Sequence, residues 1–253
     1  MKKYKLTEET IIVNGRTLYR IEALRDFAYI KKGDKGGFVE KENNLSQYGD
    51  SWVDDDAKVF GNAQVYGHAR IYGNAIVRGN AQVYGHASVR GNAEVFGNAE
   101  VFGNAKVCGN AKVCGNAKVC GNAEVLGNAE VYDNAKVFEN AEVSFDAKVY
   151  DDAKVYEYAM VQGNAKVYGN AEIRTNACIY GDAVIDSIGD YIVFKNFWSS
   201  GRSFTWTRSN DMWKVGCFYG TGEELIKKAY KDSEISGKEY ERIVKYVETI
   251  KGK

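Results

Sequence analysis

The chain contains no proline and only two histidines among its 253 residues. Proline cannot donate to a backbone ladder, so its absence suits a structure of unbroken sheet. Scarce histidine leaves His68 and His86 as the sole imidazoles for acid–base or metal chemistry. An excess of either charge is missing too, since 34 Lys and Arg balance 34 Asp and Glu. Zero net charge removes the whole-chain argument for a nucleic-acid or anionic-membrane partner. No apolar run approaches the ~20 residues that a membrane span needs. The start, Met1 through Glu9, is basic but leads into no apolar segment, so it does not read as a signal peptide. The expected location is the cytoplasm, including that of an infected cell if the gene is viral. The 5 cysteines fit that compartment, because an odd number without paired spacing is no disulfide framework.

What is present is a repeat. From Val53 to Ile185 every sixth residue is Val or Ile, and from Ala57 to Ala183 the residue two positions before it is Ala. The unit reads Gly-Asn-Ala-x-Val-x, as in Gly97 to Phe102, with no insertion or deletion. Ala and Val alternate with the x residues, so they share one side of a short strand. Gly-Asn then turns the corner, since Gly takes positive φ freely and Asn tolerates it better than most residues. One hexad cannot bury its own apolar side; stacked coils can.

The pattern resembles the hexapeptide-repeat superfamily of left-handed parallel β-helices, over roughly residues 37–186. The resemblance implies three hexads per triangular coil, a left hand, and a homo-oligomer, with a trimer favoured. Gly stands one position later here than in the commonest form of that motif. Gly36-Gly37-Phe38-Val39-Glu40 through Asp50 also looks like the start of a bacterial and prophage branch often labelled as acyltransferases. The expected fold is all-β: this solenoid, an N-terminal hairpin cap over 1–36, and a small C-terminal α+β cap or recognition domain over 187–253.

Solenoid ends need caps. Thr10–Val13 and Thr17–Ile21 flank Asn14-Gly15, a strong hairpin signal. After Ile185 come three β-rich stretches, then two helices whose capping boxes are read at Thr221–Glu224 and Ser236–Glu239. The aromatics Trp198, Trp206, Trp213, Phe218 and Tyr219 exceed what a minimal cap needs, which marks them as candidate contacts for a protein or small-molecule partner.

With eighteen residues per coil, residues eighteen apart stack. One outward column then holds Tyr48, Tyr66, Tyr84, Phe102, Cys120, Phe138 and Tyr156, of which Tyr66, Tyr84, Phe102, Phe138 and Tyr156 are the candidate oligomer face. A second holds Phe60, Arg78, Phe96, Cys114, Tyr132, Tyr150 and Tyr168, beside Glu94, Lys112, Glu130 and Lys148, which alternate in sign and should pair. No basic groove accompanies these rings, which argues against a nucleic-acid platform.

Candidate chemistry is sparse. His68 and His86 both replace the corner Asn and should stack. The resemblance implies a His general base near a subunit boundary, with acyl-CoA as substrate. The competing reading is plain substitution within an Asn ladder. Cys108, Cys114 and Cys120 fall on three different faces, so their sulfurs cannot converge on a metal. Asp133, Glu139, Phe145, Asp151 and Glu157 replace the corner Gly; these read as solvated turns rather than a Ca²⁺ site. No cofactor or metal is expected. The favoured function is a non-catalytic scaffold or binding protein, phage- or prophage-encoded in one version, acting through oligomer faces and the C-terminal domain. The alternatives are an acyl-CoA-dependent acyltransferase with a site between subunits, and sequestration of a small molecule or host factor.

Overall fold

A computed structural model describes residues 2–251; Met1, where the signal-peptide reading begins, and the last two residues of the C-terminal cap lie outside the described residues. The hexads form two-residue strands, β4 (Trp52–Val53) to β26 (Val184–Ile185), after β1 (Tyr4–Val13), β2 (Arg16–Ala23) and β3 (Lys35–Val39). They stack in three parallel sheets, giving about eight coils. Every pairing joins residues eighteen apart, as in Val95 beside Val77 and Val113. We name the walls the Val59, Val65 and Ile71 faces.

Alternation within each hexad does what period two requires. The inward Ala and Val or Ile of the repeat are at most 1 % exposed, Val119 and Val125 among them. Small Ala next to the corner and branched Val at mid-strand fill a narrow, continuous core. Hydrogen bonds between coils continue through the corners, where Asn80 N–H donates to Gly97 O at 2.7 Å.

Only the first residue of each corner pair is left-handed. Gly85, for example, has φ +69°, and a Cβ there would meet Gly103 N at 2.9 Å. The following Asn is not left-handed, so its side chain is free for another task. The Asn amides form ladders up the corners: Asn80 Nδ2 donates to Asn98 at 2.9 Å, Asn98 to Asn116 at 3.0 Å, Asn116 to Asn134 at 3.1 Å, and Asn134 to Asp152 at 3.2 Å. An ionised Asp can only accept, so it ends the run. A second ladder ends likewise at Asp146.

Both ends are closed. Asn14 and Gly15 take φ of 50° and 74°, the turn that joins β1 to β2. β2 pairs with β3, and β3 pairs in parallel with Lys58–Val59, so the hairpin extends the Val59 face. β3 thus straddles the expected boundary at residue 36. Tyr4, Ile21, Phe27, Ile30, Leu45 and Trp52 plug the opening. Lys3 is fully buried there, donating to Ser51 O at 2.7 Å.

At the far end side chains replace the missing next coil, one on each face. Thr205 Oγ1 accepts from Cys178 N–H at 2.9 Å on the Ile71 face. Ser209 Oγ accepts from Val184 N–H at 2.7 Å on the Val59 face. Tyr191 O–H donates to Glu172 O at 2.9 Å on the Val65 face. Tyr191 and Thr205 belong to an antiparallel sheet of β27 (Tyr191–Lys195), β28 (Ser203–Thr207), β29 (Met212–Val215) and β30 (Phe218–Gly220), and Ser209 lies in the turn between β28 and β29. Helices α1 (Gly222–Asp232) and α2 (Glu234–Ile250) pack on it through Leu225, Tyr240 and Val247. Thr221 and Glu224 form the expected capping box. The box read at Ser236 is corrected: α2 starts earlier, capped by Ser233, whose hydroxyl accepts from Ser236 N–H at 3.1 Å. Ser233 also ends α1 by donating its own N–H to Ala229 O, so one residue serves both helices.

Candidate functional site

The histidine corner is a continuation of the ladder. His68 and His86 stack at 4.7 Å with an interplanar angle of 5°. His68 Nδ1 lies 3.2 Å from Asp50 Oδ2, eighteen residues before it. Both imidazoles are exposed. A recess of about 540 Å³ near the N-terminal end is lined by Glu42, Gln47, Tyr48, Gln64 and Tyr66, and includes neither imidazole.

The first aromatic column stacks from Tyr66 onward, whereas Tyr48, expected to begin it, is 85 % exposed and stands outside the stack. Tyr66 and Tyr84 lie 4.8 Å apart, Tyr84 and Phe102 4.9 Å, and Phe138 and Tyr156 4.9 Å, with Cys120 interrupting the run. All five rings are half-buried within one chain. The three tyrosine hydroxyls reach polar residues of the next coil: Tyr66 donates to Gln82 at 3.0 Å, Tyr84 to Glu100 at 3.2 Å and Tyr156 to Glu172 at 3.2 Å. Burial and the Glu100 carboxylate push the Tyr84 phenol up to about 12. Stacking therefore satisfies much of this face internally.

The expected charge alternation holds only in part. Glu130 pairs with Lys148 at 2.9 Å, whereas Glu94 turns to Arg78 at 3.2 Å instead of Lys112. Arg78 in turn lies 4.1 Å over the Phe96 ring, which fixes it within reach of Glu94.

The acidic corners have a structural task. Asp133, Glu139, Phe145, Asp151 and Glu157 occupy the left-handed position, with φ from 54° to 63°. Several carboxylates cap the backbone of the next coil: Glu157 N–H donates to Glu139 at 3.0 Å, Gly169 N–H to Asp151 at 3.1 Å and Thr175 N–H to Glu157 at 2.7 Å. Among the described residues no group of three or more His, Cys, Asp or Glu is placed to hold a metal ion. Cys114 and Cys120 are half-buried, and burial raises their thiols above the ordinary range, away from the nucleophilic form.

Of the five C-terminal aromatics read as contacts, Trp206 and Trp213 are 1 % exposed. In the single chain they are core residues, packed with Phe204 and Leu225, and the reading of them as contacts is corrected. Sheet and helices need a large apolar filler, which these indoles supply. Trp198 is half-buried against Tyr240, with ring centroids 5.1 Å apart. Phe218 and Tyr219 are also half-buried, the latter edge-on to Tyr180 at 4.9 Å.

A recess that the sequence reading missed lies at the seam between the Ile71 face and the C-terminal sheet. It measures about 520 Å³, and Met160, Gln162, Cys178, Arg202 and Lys214 are among its walls. The outward column Glu124, Glu142, Met160, Cys178 leads into it. Its turn from acidic to apolar residues was the available signal. Cys178 is buried, and burial pushes its thiol up to about 11.

Stacked parallel coils, inward Ala and Val, and left-handed glycine corners define the class: this chain is a parallel β-solenoid of hexapeptide repeats. The family model of the YdcK beta solenoid repeat matches residues 63–79, within these coils. A comparison with curated proteins gave no match. Among the described residues no helix is long and apolar enough to cross a membrane.

Proposed function

We propose that this chain is a non-catalytic binding scaffold: a rigid solenoid whose specific contacts are made at its ends and through its C-terminal domain. The observation that carries this reading is the unbroken register from Lys58 to Ile185, where each strand pairs eighteen residues on with no inserted loop. An acyl transferase must hold two substrates, a base and an oxyanion donor within hydrogen-bond reach, which demands concavity. Flat walls do not supply it, and His68 and His86 are engaged in a corner stack. The same reading extends to a homo-oligomer, a trimer by resemblance, formed on the Tyr66–Tyr84–Phe102 column. It also extends to a cytoplasmic setting, with a phage or prophage origin suggested by the resemblance at residues 36–50. A sequestering role for a small molecule or host factor is one form of it.

The acyltransferase reading has one specific observation in its favour. Asp50 and His68 form a carboxylate–imidazole pair at 3.2 Å, the arrangement that orients a general base. Incubation of the oligomer with radiolabelled acetyl-CoA and a panel of amino-sugar and hydroxyl acceptors separates the two. The scaffold reading expects no transfer above the buffer rate. Transfer that disappears in both His68→Ala and Asp50→Asn would replace it with the enzyme.

A further inference from the structure

We propose that the recess between the Ile71 face and the C-terminal sheet binds a small organic anion, its carboxylate or phosphate head held by Arg202 and Lys214. This site deepens the binding-scaffold reading and rests on it. The recess, at about 520 Å³, falls in the range that takes a small metabolite. No carboxylate is among its lining residues. The acid next along the column, Glu142, is already engaged through Oε1 by Ser144 Oγ at 2.7 Å and Gln162 Nε2 at 3.0 Å.

Both cations line the recess without an ion-pair partner among the described residues, Lys214 half-buried and Arg202 exposed. Lys214 Nζ sits 4.3 Å over the Tyr180 ring, a contact that positions the ammonium without neutralising it. Arg202 Nη1 passes so close to Gly216 that a Cβ there would lie 3.3 Å from it. Gly216 has φ +53°, so its conformation also favours glycine. Neither cation forms an ion pair among the described residues, whereas Lys251 of the same domain pairs with both Asp211 and Glu248. Two cations without an acid, both lining one recess, are the arrangement that recognises an anionic head.

The opposite wall suits the rest of such a ligand. Met160 and Cys178 break a column that is charged at Glu124 and Glu142, and they do so where it enters the recess. Burial raises the Cys178 thiol and so favours its neutral form, and the Met160 thioether carries no charge. The ligand class is therefore a short carbon body lying on Met160 and Cys178, with its anionic head toward Arg202 and Lys214.

Isothermal titration calorimetry of the full chain tests this with 3-phosphoglycerate, citrate, hexanoate and inorganic phosphate as probes and glycerol as the neutral control. At least one organic anion is expected to bind, glycerol is not, and binding weakens as salt rises. Arg202→Ala and Lys214→Met should each weaken it by about tenfold or more, the loss of one charge-assisted contact. Arg202→Lys should recover part of the loss, and Arg208→Ala, outside the recess, should leave affinity unchanged. Circular dichroism of each variant establishes that the fold persists. The proposal is overturned if no organic anion binds below about 10 mM, or if binding survives both substitutions. Inorganic phosphate binding as tightly as 3-phosphoglycerate would overturn the role of Met160 and Cys178. Turnover of acetyl-CoA would end the scaffold reading separately, and the titration would stand or fall on its own.

Discussion

Replacing Thr205 with Val tests how the solenoid is closed. The two side chains have nearly the same shape, but Val cannot accept the hydrogen bond from Cys178 N–H, now 2.9 Å long. Thr205 is 1 % exposed, so water cannot take its place. A buried N–H left without an acceptor costs about 1–3 kcal/mol. For a chain of this size that lowers the melting temperature by about 2–4 °C per kcal/mol. Ser209→Ala removes the equivalent acceptor from Val184 N–H, but Ser209 is exposed and solvent can replace it. Its cost should stay near or below about 0.5 kcal/mol. Thr205→Ser, which keeps the oxygen, should lose less than Val does. Scanning calorimetry of the three variants checks the order. Thr205→Val melting with the parent protein, or Ser209→Ala costing more than Thr205→Val, would refute the idea that buried side-chain acceptors complete the last coil.

Other outcomes follow from the corners, the N-terminal plug and the charge columns. Phe145 is left-handed at φ 63°, is 57 % exposed and makes no side-chain hydrogen bond that Gly would forfeit. Phe145→Gly should therefore stabilise by about 0.5–1 kcal/mol in thermal melts, the relieved strain less the added unfolded-state freedom. Glu157→Gly should gain less, because it also loses the cap on Thr175 N–H at 2.7 Å. Burial, with Arg25 nearby, pushes the Lys3 ammonium down to about 8 from its ordinary 10.5. The unfolded chain then holds that proton between pH 8 and 10.5 while the folded chain releases it, so stability should rise with pH across this window. The full effect is about 3 kcal/mol, opposed from about pH 10 by tyrosines whose pKa is raised in the fold. Denaturant melts of Lys3→Met should lack the Lys3-dependent rise. Lys136 lies between Lys118 and Lys154, which pair away to Glu100 and Glu172. Lys136→Glu should gain about 0.5 kcal/mol, fading in high salt; an unchanged melting point would count against the charge-column argument.

Local rules carried most of the fold. Period two in each hexad identified the buried Ala and Val, Asn14-Gly15 identified the hairpin, and Thr221–Glu224 identified the start of α1. What escaped was non-local. Thr205 caps a strand residue 27 positions away, and no pattern around Thr205 announces that task. Trp206 and Trp213 were read as contacts because an indole looks alike in sequence whether it fills a core or meets a partner. The start of α2 slipped to Ser236 because Ser233 and Ser236 compete for one cap, and only the end of α1 decides between them. The histidine stack was legible from its eighteen-residue spacing. The seam recess was signalled on one wall only, by the turn from Glu142 to Met160 and Cys178, because Arg202 and Lys214 come from a different unit. These closing contacts also make removal of 187–253 a poor test of partner binding, since it strips Thr205, Ser209 and Tyr191 from the last coil together.

With only two histidines, the central claim has a direct spectroscopic test. In protein labelled at histidine alone, the Hε1–Cε1 signals of His68 and His86 can be followed by NMR while acetyl-CoA is added to the full chain. The scaffold account predicts that both signals stay in place through millimolar acetyl-CoA, an order-of-magnitude choice that would reveal even a weak complex. A saturable shift of the His68 signal, lost in Asp50→Asn and accompanied by acyl transfer, would contradict it and place a working base on the wall of the solenoid.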